Sequence, residues 1–228
     1  MPNQLIDKTA AIVIPLLDTW AGKKSAGSWG VTPPFDFTSL SIQSVNAWHI
    51  NNSMMGTLDA FDELARVWSV YFSSSPFSEI KGVTLEWPPE NSYEEYLENV
   101  SKAMREHCAA IERLEMEVDL FVYIRTPESP DKPTRSWVRN LGRFVMWGGP
   151  EDGEPYFSFS MHHTLFYPFS YHNSADNSEL YSLNQPLLEN ALRRWEKRFG
   201  SISEVEGLQG IYEYGFLPEE KWNTKSTN

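Results

Sequence analysis

His162 sits in an alternating run, Tyr156 to Phe166, that sorts its side chains by parity. In an extended chain Ser158, Ser160, His162 and Thr164 share one face, and Phe157, Phe159, Met161, His163 and Leu165 the other. An imidazole among hydroxyls suits general-base chemistry, so His162 and Ser160 are the candidate catalytic residues. His163, on the apolar side, reads as a hydrogen-bonded core residue. A hydroxyl stripe is also the ordinary outer surface of a half-buried strand. That reading prevails, and the expectation leans towards a protein that is not an enzyme.

Other chemistries find less support. His162, His172 and Asp176 are near in sequence, but no spacing resembles H-x-x-x-H or H-E-x-x-H, and no metal is expected. Cys108 beside His107 is expected in the middle of a long helix, where adjacent side chains diverge by roughly 100° and cannot act as nucleophile and base. Both are expected to be buried. There is no G-x-S-x-G elbow, and Gly148-Gly149-Pro150 joins two strands instead of leading into a phosphate-binding helix. No cofactor is expected. Arg135, Arg139 and Arg143 recur every four residues beside Trp137 and Trp147, and Arg139 and Arg143 are candidate binding residues. The competing reading is that these arginines neutralise a neighbouring strand carrying Glu117 and Asp119, and it is the favoured one.

Charge is the strongest compositional feature. The 228 residues carry a net −12, with 41 % apolar, 22 % charged and 14 % aromatic residues. This balance belongs to a soluble globular chain and disfavours nucleic acid as a partner, because phosphate binding needs clustered Lys and Arg. From Glu86 to Asp131, twelve Asp and Glu face only Lys102, Arg105, Arg113 and Arg125. A solvated face explains such a run, and so does a surface that attracts a basic protein. On the second reading Glu94, Glu98 and Glu106 are candidate binding residues. The longest apolar run, Ala10 to Leu17, is too short to span a bilayer, and no basic stretch precedes it to make a signal peptide. The single cysteine excludes an internal disulfide and, with the missing leader, suggests the cytoplasm.

These residues need elements to hold them. Thr57 to Phe72 shows apolar residues at three- and four-residue spacing and predicts a helix. Ser92 and Glu95 form a capping box opening a helix to about Leu114, with Tyr96, Val100 and Met104 on its core face. A last helix is expected from Gln185 to Phe199, capped by Asn184, with Pro186 in its first turn and Gly200 stopping it. Strands are expected at Phe35–Val45, Val83–Trp87, Glu117–Thr126, Trp137–Trp147, Tyr156–Phe166 and Ile211–Phe216. Residues 5–20 read as an ambiguous apolar element and 171–182 as a polar loop.

Strands Glu117–Thr126 and Trp137–Trp147 should pair antiparallel with Asp119 opposite Arg143. The expected architecture is a single α+β domain over residues 1–217, with a polar frayed tail from 218 to 228. It comprises a largely antiparallel sheet with a three-strand meander, packed against three to four helices. The expected function is a non-catalytic interaction module, an acidic inhibitor or immunity-type protein that blocks a basic partner. The alternative is a small-molecule enzyme or binder with a pocket at the strand face around His162. Oligomeric state is not legible.

Overall fold

The computed structural model describes residues 11–13, 25–75, 82–88, 90–150, 153–168, 176–207, 209–218 and 221. Most of the apolar element at 5–20, His172 and most of the C-terminal tail lie outside the described residues. The fold is α+β, and its centre is a seven-stranded antiparallel sheet in the order β3-β2-β4-β5-β6-β1-β7. The strands are β1 (Gly27–Val31), β2 (Ala65–Ser73), β3 (Val83–Glu86), β4 (Arg113–Thr126), β5 (Ser129–Trp147), β6 (Tyr156–Met161) and β7 (Ile202–Gly207). The expected meander is β4-β5-β6. The helices are α1 (Ile42–Trp48), α2 (Met55–Phe61), α3 (Tyr93–Arg105) and α4 (Ser178–Phe199), and a π-helical turn, His49–Met54, links α1 to α2. A small hairpin, β8 (Ile211–Tyr212) with β9 (Gly215–Phe216), follows the sheet.

The core lies between one sheet face and the helices. Trp195 of α4 packs against Phe61 and Phe144, and Phe61, Phe144 and Phe159 are in mutual contact at centroid distances of 4.7–4.8 Å. Each ring is fully buried, and burying such a side chain stabilises the fold by about 1.5–3 kcal/mol.

Several elements differ from the sequence reading. The helix expected over Thr57–Phe72 ends at Phe61, and Ala65–Ser73 is a strand. A bulge at Trp68 explains the misreading. It puts Ala65 and Phe72, seven residues apart, on the same core-facing side, a spacing that imitates two turns of a helix. Asp62, with φ of 46°, turns the chain between the two. Phe35–Val45 is not a strand: the chain loops through Ser39 at φ of 67°, and α1 begins at Ile42 with Ser41 as its cap.

The helix from Ser92 has both bonds of the expected capping box but stops at Arg105. Beyond it, the Asn46 amide binds the carbonyls of His107 and Ala109 and accepts from the Ile111 N–H, leading the chain into β4. Leu114 is therefore a strand residue. His107 and Cys108 lie in the connection instead of mid-helix, and Cys108 is exposed, not buried.

The last helix starts at Ser178, seven residues before the expected Gln185, so Asn184 is no cap but an interior, fully buried residue. Pro186 is inside α4, where it removes one helical hydrogen bond. The two residues before it are held from outside. Asn184 binds the Tyr123 backbone, and Gln185 donates to the Tyr214 carbonyl and accepts from the Phe216 N–H. The strand through His162 ends at Met161, and Thr164–Phe166 is a single 3-10 turn.

β4 and β5 pair antiparallel as expected, but Glu117, not Asp119, lies opposite Arg143. The turn sits at residues 127–128, earlier than the turn near Asp131 that an Asp119–Arg143 register requires. Two bulges, one between Ile124 and Thr126 and one at Arg139 to Leu141 opposite Asp119, then shift the register by three and two residues and restore most of the offset.

Candidate functional site on the polar sheet face

Parity and register together lay polar residues in rows across the second sheet face. One row runs Glu86–Ser69–Glu117–Arg143–Ser160–Ser28–Glu206 and crosses all seven strands. The next runs Thr84–Tyr71–Glu115–Val145–Ser158–Gly30–Glu204. A shorter third row holds Ser73, Arg113, Trp147 and Tyr156. The opposite parity of the same strands supplies Val67, Val118, Phe144 and Phe159 to the core. Alternation thus sets a mostly polar outward face against the apolar inward one.

The charges on these rows are tied together. Glu115 takes ion pairs from Arg113 at 2.5 Å and from Arg143, and the Arg143 Nε lies 3.3 Å from Glu117. Burial raises the Glu117 carboxyl above its ordinary range. The Arg143 charge opposes that rise and the Glu115 charge adds to it. The Ser28 and Ser160 hydroxyls are 3.1 Å apart, and the Tyr156 hydroxyl donates to Glu204 at 2.7 Å. Trp147 stacks on Tyr156 with centroids 5.5 Å apart.

Farther along β4 the face becomes cationic. Arg66, 1 % exposed, sits 3.3 Å from Asp119, and Arg139 approaches the other Asp119 oxygen at 3.1 Å. The Asn140 N–H donates to the same carboxylate. Burial raises the Asp119 carboxyl, while Arg139, the Asn140 N–H and Arg66 hold it down. Aromatic rings frame the cations: Arg66 lies 4.4 Å from the Trp137 centroid and 5.1 Å from Trp87, and Arg139 lies 5.2 Å from Trp68.

The residues singled out from sequence fall in three places. Ser160 and Arg143 are neighbours across β5 and β6. His162 lies just beyond β6, its backbone N–H donating to the Leu141 carbonyl at 2.8 Å. Burial and the Arg143 charge pull its imidazole below the ordinary range, so it is neutral near pH 7. Among the described residues its ring makes no hydrogen bond with Ser160, whose hydroxyl engages Ser28. Arg139 belongs to the Asp119 cluster. Glu94 and Glu98 are exposed on α3, and Glu106 caps its end 4.0 Å from Lys102. The structure does not join these glutamates to Arg139 or Arg143. Asp176 bonds the Ser178 N–H at the start of α4.

Sequence reasoning passed over Glu115, Arg66, Glu204 and Glu206. The first was legible as part of an alternating Glu115-Glu117-Asp119 run, whereas the others needed strand order. It also passed over His49, the most completely buried imidazole among the described residues. Its Nε2 lies 3.0 Å from the Gly148 carbonyl and its Nδ1 3.0 Å from the Ser53 hydroxyl. A carbonyl only accepts, so Nε2 carries the proton and Nδ1 accepts from Ser53. Burial pulls this imidazole down to about 4, against the opposing pull of the Gly148 and Ile111 backbone. An open recess of about 610 Å³ lies between the loops at 32–36 and 153–154, away from the strand residues that precede His162.

No family model matches the chain, and neither a curated protein nor a solved structure resembles it significantly. No described helix is long and apolar enough to cross a membrane.

Proposed function

We propose that the chain is a non-catalytic protein-binding module that blocks a basic partner, in the manner of an acidic inhibitor or immunity-type protein, and acts in the cytoplasm. One observation carries the reading: two polar rows cross the whole sheet, with the half-buried ring of Tyr71 among their carboxylates and those of Trp147 and Tyr156 in the shorter row beside them. Tyr, Trp and Arg are the residues that dominate binding energy at protein interfaces, and a rigid sheet loses little entropy on docking. The acidic segment Glu86–Asp131 contributes in two ways. Its strand carboxylates Glu115 and Glu117 lie on this face, and its helix carboxylates Glu94 and Glu98 project into solvent on α3. The exposed Cys108 thiol suits a reducing compartment.

Capture from a native lysate tests the reading, using the wild-type chain beside two variants. One carries Trp147→Ala, Tyr156→Ala and Glu204→Lys on the sheet, and the other carries Glu94→Lys, Glu98→Lys and Glu106→Lys on α3. Loss of a basic protein from the sheet variant alone is the expected result. Equal capture by all three chains overturns the assignment.

A further inference from the structure

The polar face changes sign along its length. The three rows described above hold Glu86, Glu115, Glu117, Glu204 and Glu206 against Arg113 and Arg143. Beyond the bulges at Trp68 and Asn140, the same face carries Arg66, Arg135 and Arg139 against Asp119 alone. Arg66 is buried with its Nε on Asp119, so half-buried Arg135 and Arg139 are the cations of this band that meet solvent. Arg135 lies 4.5 Å from the Phe121 ring centroid and donates to the Phe121 carbonyl, and no described carboxylate pairs with it. Phe121 packs in turn on Trp137 at 5.1 Å. The hairpin tip past Arg135 adds Glu128 and Asp131 against Lys132, so the reversal is confined to one band. In a chain of net −12, Arg66 and Arg139 share Asp119 and Arg135 has no described carboxylate, which leaves this band an excess of positive charge.

We infer that the face is bipolar and receives a single partner lying along β4 and β5. The partner's lysines and arginines sit over the Glu115–Glu117 rows, and a carboxylate-bearing segment of it sits over Arg135 and Arg139. This rests on the proposed interaction function and adds the partner's orientation and second charge. A partner rotated by half a turn brings like charges together at both ends, which costs several kcal/mol and suppresses the wrong pose. The Arg135 guanidinium lies against the Phe121 ring and that of Arg139 against the Trp68 ring, and guanidinium groups held this way can donate to a carboxylate.

Two spin-labelled probes, tetralysine and tetraglutamate, test this with the ¹⁵N-labelled full chain at low ionic strength. Tetralysine is expected to broaden the amides of Glu115, Glu117 and Glu204, and tetraglutamate those of residues 135–139. Arg135→Glu should abolish the tetraglutamate effect, leave the tetralysine effect in place, and hold the thermal midpoint near wild type. Arg135→Ala should weaken the tetraglutamate effect without reversing it, which separates charge from misfolding. Tetraglutamate broadening elsewhere, or none at all, overturns the bipolar assignment alone. Tetralysine broadening on α3 in place of the sheet overturns the proposed docking face, whatever tetraglutamate does.

Discussion

The Asn184 side chain holds the Tyr123 backbone by both its amide atoms: Oδ1 accepts the N–H at 2.8 Å and Nδ2 donates to the carbonyl at 2.9 Å. β2 ends its pairing at Leu120, so Tyr123 has no strand on that side, and a helix side chain takes the place of one. Asn184→Ala leaves both backbone groups without these partners. The expected loss is about 2–6 kcal/mol in a denaturant melt, from roughly 1–3 kcal/mol for each of the two unsatisfied groups. Asn184→Asp keeps only the acceptor and should fall between. A loss under 0.5 kcal/mol for the alanine variant would show that water replaces the amide.

Asp119 forms an ion pair with a buried cation, Arg66. Arg66 and Asp119 are 1 % and 0 % exposed, and removing one member of a buried pair typically costs about 3–5 kcal/mol. Asp119→Ala should therefore destabilise the chain by about that amount. Adding Arg66→Met should recover most of it, since an apolar side chain suits the space between Trp87 and Trp137. A double variant no more stable than Asp119→Ala would contradict this account.

His49 makes stability depend on acid. The unfolded imidazole takes its proton near pH 6.5 and the folded one near 4, so between those values the unfolded chain binds more protons. Stability from this residue is complete above pH 6.5 and is lost as pH falls towards about 4. The full effect is on the order of 3 kcal/mol. In His49→Gln that loss should be absent, so the stability gap to wild type should narrow across this window. A gap that stays constant between pH 7 and pH 4.5 would be incompatible with a depressed His49.

Cys108 offers the simplest check of where α3 ends. It is exposed in the connection after Arg105, so a thiol reagent should label the folded chain at the rate of an unhindered cysteine. Protection that disappears only on unfolding would restore the longer helix.

Local chemistry was legible where neighbours in sequence decide it. The Ser92–Glu95 capping box and the alternation of Tyr156 to Met161 depend on residues a few positions apart, and both stand as the sequence indicates. The class of fold followed from the same signals. Failures cluster where a distant group overrides a local pattern. Asn184 reads as a cap by type, but β4 needs it in the helix interior. The spacing of Ala65 and Phe72 imitates a helix because a bulge adds one residue. Pro186 marks a helix start, yet α4 continues through it between external anchors.

For the candidate site, the sequence by itself determined which residues in each strand share a side. The chain's parity therefore already contained the polar stripe of Ser158 and Ser160 and the pairing of arginines with an acidic neighbour strand. It did not contain strand order or register. Those bring Glu206 and Glu86 into one row with Arg143 and separate Asp119 from it by two residues. Parity is a property of the backbone at each position, and hydrogen bonding across strands is not. Register depends on where turns and bulges fall, and here Asp119 accepts the Asn140 N–H within the bulge that offsets β5 from β4. Only the folded chain could decide that.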